Sequence, residues 1–164
     1  MSLDRLDDPA AVALAMSLVA MLAVATVTDL ERRVIPNRVL AVGALACLAI
    51  VAMDDPATLP ERVLAAAGAG GFLLLGALWG RPGMGMGDVK LAAVMGLYLG
   101  GAVAVALLVG LAAGGAVGVV LIARHGLAAR TQGLPFGPFL ALGGVVALAV
   151  GNPLIEWYLD GLFR

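Results

Sequence analysis

Long uncharged runs alternate with short charged segments along the whole chain. A helix that crosses a bilayer needs about 20 mostly apolar residues. The uncharged runs cover residues 10–28, 39–53, 63–80, 91–123 and 134–151. Their lengths are those of membrane-spanning helices, so the pattern predicts an all-α membrane protein.

The fourth run is too long for one ordinary span. Its 33 residues would extend about 50 Å as a helix, against a hydrocarbon core of about 30 Å. The pair Gly100-Gly101 is the natural break within it. A break there gives six transmembrane helices, whereas a single steeply tilted helix would give five.

Composition narrows the class of protein further. Hydrophobic residues make up 62% of the 164 residues and charged ones 13%, whereas soluble chains average roughly 45–50% and about 25%. The single cysteine, Cys47, excludes an internal disulfide and a cysteine zinc cluster. Three acids and only one basic residue precede the first run, so we interpret it as a permanent span and not as a cleaved signal. The length predicts one polytopic domain over residues 1–164.

The placement of charge favours six spans and predicts their orientation. With six, the segments 29–38, 80–90 and 124–133 lie on one side, and they hold seven of the ten basic residues with three acids. The other side holds three basic residues and eight acids. Because basic loops stay in the cytoplasm, both termini are predicted on the non-cytoplasmic side.

Two acids, Asp29 and Asp88, adjoin apolar runs on the predicted cytoplasmic side. Acids near a bilayer are candidates for function. Two neighbouring carboxylates cannot both ionise readily, and an aspartic protease uses such a pair, in which one carboxylate takes a proton from water and the other polarises the scissile carbonyl. The alternative is that Asp29 caps a helix end beside Arg32 or Arg33. Spacing alone leaves both possibilities open.

Glycines at positions 83, 85 and 87 directly precede Asp88. They can leave room for an extended substrate strand beside the carboxylate. A phosphate loop would need a G-x-x-x-x-G-K-[ST] spacing, which is absent. A flexible connection is the third possibility, and composition does not exclude it.

Three segments together resemble the type IV prepilin leader peptidases, which are GxGD-type membrane aspartyl proteases. Residues 29–37 (DLERRVIPN) look like the first aspartate of that family and its R-x-I-P-N stretch. Residues 85–91 (GMGDVKL) are similar to its G-x-G-D-[VF]-K-L signature, and residues 134–143 (LPFGPFLALG) to its run near the last span. The resemblance covers residues 15–150.

The resemblance implies that Asp29 and Asp88 are the catalytic pair. The implied substrate is a prepilin or pseudopilin, which has a basic leader before a hydrophobic helix and is cleaved at the cytoplasmic face of the bacterial inner membrane. The lipid bilayer is the other expected partner. No cofactor, metal or nucleic acid is expected. Bifunctional members often carry Cys-x-x-Cys motifs in an additional N-terminal segment, so a chain with only Cys47 resembles a short, peptidase-only form without methyltransferase activity.

The remaining motif positions are predicted to form the active-site loop or to bind substrate. They are Gly85, Gly87, Lys90, Pro36, Asn37, Pro135, Phe136, Gly137 and Pro138. Lys90 is either an anchoring positive charge or a group that alters the acidity of Asp88 or contacts the substrate. Pro36 and Asn37 are expected to break the chain and cap the second helix. Residues 135–138 either support the pocket or simply pack.

A transporter that couples ions or protons to transport is the alternative from another functional class, because paired acids inside a membrane serve that purpose too. Transporter sites lie near the bilayer midplane between repeated halves. Here both acids map to one interface, and the chain has no convincing internal repeat, so the sequence favours the protease.

Overall fold

A computed structural model describes the backbone of residues 8–78, 85–125 and 135–162, and the side chains in these ranges apart from 125 and 151–162. The described residues form six α-helices and no strand. The helices are α1 (Pro9–Arg32), α2 (Asn37–Asp54), α3 (Leu59–Leu78), α4 (Met86–Leu99), α5 (Val103–His125) and α6 (Gly137–Leu162). The all-α prediction is confirmed. The predicted loop at 124–133 lies mostly outside the described residues.

Local sequence signals define both ends of α1. Asp8 caps its start, since the Asp8 carboxylate accepts a hydrogen bond of 3.0 Å from the Ala10 amide, and Pro9 suits the first helical position. The helix ends where Arg33 adopts a left-handed conformation with φ of 53°. It therefore continues one turn past the uncharged run, and Asp29 lies within it.

The predicted interruption at Gly100-Gly101 is present. Helix α4 ends at Leu99, a 3₁₀ turn covers Gly100–Ala102, and α5 begins at Val103. Gly100 has a φ of 57°, which glycine adopts without steric cost. The Arg62 guanidinium, from α3, donates hydrogen bonds to the carbonyls of Leu97 and Tyr98 at 3.0 and 2.8 Å. These bonds satisfy two carbonyls at the α4 terminus that the helix itself leaves without partners.

Helix α4 is the centre of the packing. It contacts each of the other five α-helices and is most extensively packed against α3, while α5 packs along α6. Gly96 allows the closest approach between α3 and α4. A methyl group there would lie 2.5 Å from the Ala66 Cα and 2.6 Å from its nitrogen. Small residues at such contacts are typical of helices packed in membranes.

The outer surface of the helices is strongly apolar. Leu64 is 72% exposed and Leu142 is 51% exposed, as is favourable where lipid rather than water is the solvent. Within the described residues, four stretches are long and apolar enough to cross a membrane: Pro9–Arg32, Asn37–Asp54, Pro56–Leu78 and Met86–Arg124. The chain is a multi-pass membrane protein. The number of crossings and their orientation stay predictions, since α4 alone, with 14 residues, is only about 21 Å long.

The close contact at Gly96 makes a prediction about stability. Gly96→Ala would force the backbones of α3 and α4 apart, and overpacking of this kind costs about 1–3 kcal/mol. We expect that loss in the free energy of unfolding, measured by SDS titration in mixed micelles. Gly71→Ala on α3 is the control, because a methyl group there meets nothing within 4 Å. Equal effects of the two substitutions would contradict this packing of α3 on α4.

Candidate active site

Asp29 lies in the last turn of α1 and is buried, with 6% of its surface exposed. Its Oδ2 accepts a hydrogen bond of 2.8 Å from the backbone amide of Gly137. Gly137 is the first residue of α6, where a helix has amides without partners in the helix itself. The Asp29 carboxylate therefore accepts a hydrogen bond from the first amide of α6 and not from an amide of α1.

Asp88 is the third residue of α4 and is equally buried at 6% exposed. Its Oδ2 accepts a hydrogen bond of 3.2 Å from the Gly85 amide, and the Asp88 amide donates to the Gly85 carbonyl at 3.0 Å. This reciprocal pair is a capping arrangement in which the acid at the third helical position reaches back to the residue before the helix. It fixes the carboxylate at the start of α4.

Both carboxylates line one cavity of about 390 Å³. The lining residues are Asp29, Arg33, Val34, Ile35, Asn37, Gly85, Met86, Gly87, Asp88, Lys90, Pro135 and Phe136. The two acids are also the only buried charged side chains among those that the structure describes. Ends of α1, α2, α4 and α6 meet at this cavity, which is the juxtaposition expected for acids on the same side of the membrane.

Most of the predicted loop and binding residues line the same cavity. They are Asn37, Gly85, Gly87, Lys90, Pro135 and Phe136. Gly137 is not a lining residue, but it contacts Asp29 directly, whereas Pro36 and Pro138 are outside the lining. Sequence reasoning missed Val34, Ile35 and Met86 as lining residues and treated Arg33 only as a charge beside Asp29. Their one signal was their position inside the motif segments 29–37 and 85–91.

Gly87, directly before Asp88, is required for a reason other than the one expected from the sequence. A methyl group at Gly87 would lie 3.1 Å from the Cβ of Ile35 and 3.5 Å from its Cγ1. Ile35 is buried and lines the cavity. At this position, therefore, the space is filled by the segment after α1 and is not left free for a substrate strand.

Asn37 does not cap α2, contrary to expectation. The residue before the helix is Pro36, which makes no capping hydrogen bond with its side chain, and Asn37 is already the first helical residue. Its Oδ1 instead accepts a hydrogen bond of 3.0 Å from the Lys90 ammonium group. The bond joins the start of α2 to α4 at the exposed edge of the cavity.

The chemistry available here is that of acids and bases. Two carboxylates, one guanidinium and one ammonium group line the cavity. No group of three histidine, cysteine, aspartate or glutamate residues that could hold a metal ion occurs in the part of the chain that the structure describes. The carboxylates suit proton transfer to and from a bound water.

Comparison with known proteins agrees with this geometry. The model of the type IV leader peptidase family matches residues 16–150. The chain belongs to that family. The matched range contains both buried aspartates and every residue that lines the cavity.

Curated proteins similar to this chain are named prepilin leader peptidases. A prepilin leader peptidase/N-methyltransferase of Bacillus subtilis is 34% identical over 147 residues, covering 88% of this chain and 58% of its own length. The protein of the same name from Aeromonas hydrophila is 30% identical over 155 residues, covering 88% of this chain and 52% of its own. The chain thus spans about half the length of these relatives. No solved structure matches it.

The bond between Lys90 and Asn37 is testable by a double-mutant cycle. We expect Lys90→Met and Asn37→Ala to show a coupling of about 0.5–1.5 kcal/mol in the free energy of unfolding, because one hydrogen bond of a partly solvated pair is at stake. A cycle of Lys90→Met with Arg38→Ala is the control, since two like charges form no such bond. Coupling no larger than in the control would show that the bond does not form.

Proposed function

We propose that the protein is a membrane aspartic endopeptidase that removes the basic leader from prepilins or pseudopilins. The observation that carries the proposal is the pair Asp29 and Asp88, two buried carboxylates that line one cavity. Family membership and the peptidase named in the relatives support it. The acids bear on hydrolysis only, so the proposal does not extend to the methyltransferase part of those names.

The proposed reaction is direct attack by water. One ionised aspartate takes a proton from the water, and the protonated partner donates a hydrogen bond to the scissile carbonyl. The tetrahedral intermediate then collapses as the amine leaves with a proton, so that no covalent enzyme intermediate forms. Both groups are side chains of this chain, and no cofactor enters the scheme.

The position of the carboxylates agrees with the substrate class that the family resemblance implies. Asp29 is near the end of an apolar helix and Asp88 near the start of another, so the peptide bond to be cut is at the end of a hydrophobic helix and not at its middle. A short basic leader before such a helix meets this description. The predicted six-span topology has this end of the helices facing the cytoplasm, and the proposed place of cleavage is the cytoplasmic face of a bacterial inner membrane.

Substitution of either aspartate tests the assignment. We expect Asp29→Asn and Asp88→Asn each to lower cleavage of a prepilin-like peptide in detergent by at least about 100-fold, because each removes a proton-transfer group. The readout is the initial rate of leader release, followed by mass spectrometry. Asp54→Asn is the matched control, because this exposed acid ends α2, and it should cleave at the wild-type rate.

Two outcomes would contradict the proposal. Normal cleavage by Asp88→Asn would exclude the acid pair as the catalytic group. Proton or ion flux in reconstituted vesicles without cleavage of any prepilin-like peptide would favour the transporter instead.

A further inference from the structure

The start of α6 is bound to the end of α1 by a hydrogen bond between residues 108 positions apart. The Gly137 amide donates to the Asp29 Oδ2 at 2.8 Å, and both groups are buried. A backbone amide cannot rotate away as a side chain can. The bond therefore fixes one oxygen of Asp29 relative to the axis of α6.

Only glycine fits at position 137 in this arrangement. A methyl group there would lie 2.8 Å from the Asp29 Oδ2, 3.1 Å from its Cβ and 3.2 Å from its Cγ. All three atoms belong to the carboxylate side chain, so any larger residue would displace the acid itself. The glycine is thus specified by Asp29 and not by a turn in the backbone.

The start of α6 is itself held rigidly by α5. Gly110 lies against the backbone of α6, where a methyl group would be 3.0 Å from the Phe139 carbonyl oxygen. One turn further along α5, a methyl group at Gly114 would be 2.8 Å from the ring of Phe136. Phe136 also lines the cavity. Because α5 holds the residue before Gly137, the amide has a defined position.

We propose that Gly137 is a positioning residue for catalysis, whose backbone amide holds the Asp29 carboxylate in the orientation that the reaction needs. The inference rests on the proposed function, since it presupposes that Asp29 reacts. It also gives the segment 135–138 a specific role, because this segment brings the first amide of α6 to the acid on α1.

Gly137 contacts Asp29 but is not itself a lining residue of the cavity. Loss of the bond therefore changes the orientation of the reacting carboxylate and leaves the other lining residues as they are. We expect the effect in kcat and not in KM.

The test compares two alanine substitutions of helical glycines. Gly137→Ala should lower kcat for a prepilin-like peptide by roughly 10- to 100-fold, as expected for a misplaced reacting group, and should leave KM close to the wild-type value. Gly115→Ala on α5 is the control, because a methyl group there meets nothing within 4 Å. Its kcat and KM should both stay at the wild-type values.

The possible results separate this inference from the proposed function. If Asp29→Asn and Asp88→Asn are inactive while Gly137→Ala has the wild-type kcat, the inference is wrong and the proposed function stands. If the aspartate variants still cleave, the proposed function fails first. A rise in KM with kcat unchanged would show that Gly137 acts on substrate binding and not on Asp29, and that result also counts against the inference.

A second measurement covers the case in which Gly137→Ala does not fold. Asp29→Asn keeps an oxygen that can accept the Gly137 amide, whereas Asp29→Ala removes it. We expect Asp29→Ala to have a clearly lower Tm in detergent than Asp29→Asn. Equal Tm values would show that the bond does not form and would overturn the inference.

Discussion

Polar groups buried among apolar helices need partners within the protein, and this constraint organises the whole structure. An unpaired polar group in such surroundings costs several kcal/mol. Tyr98 donates its hydroxyl to the Gly43 carbonyl at 2.8 Å, and Arg62 binds the end of α4. No buried side-chain nitrogen or oxygen is without a partner in the described residues. The two aspartates obey the same rule, because each accepts a hydrogen bond from a backbone amide.

Sequence patterns were sufficient for the parts of this structure that depend on local properties. Apolar runs predicted the helices because the length of such a run can be compared directly with the length that a membrane-spanning helix needs. Gly100 indicated the interruption between α4 and α5 because glycine is the residue that most readily adopts the positive φ found there. Asp29 and Asp88 could be singled out because charge is scarce in this chain, so that two acids beside apolar runs are conspicuous.

No local sequence pattern predicted the contacts between residues far apart in the chain. The bonds from Gly137 to Asp29 and from Tyr98 to Gly43 join positions 108 and 55 residues apart, and they depend on how the helices pack. Asn37 shows how a local rule fails for this reason. An asparagine at a helix start predicts a cap, but Lys90 on α4 provides a charged donor for the same oxygen, and a charged hydrogen bond is the stronger of the two.

The distance between the two carboxylates depends on the helices that bridge α1 and α4. These two helices contact each other only slightly, whereas both pack more extensively on α2 and on α6. Asp29 is bound to the first residue of α6, and Met95 of α4 lies beside Gly144 two turns further along it. A shift of α1 or α4 on either bridging helix would therefore change the separation of the acids without disturbing the larger contacts of α3 with α4. Precise placement of α6 by the glycines of α5 is then a requirement of the site and not only of the fold.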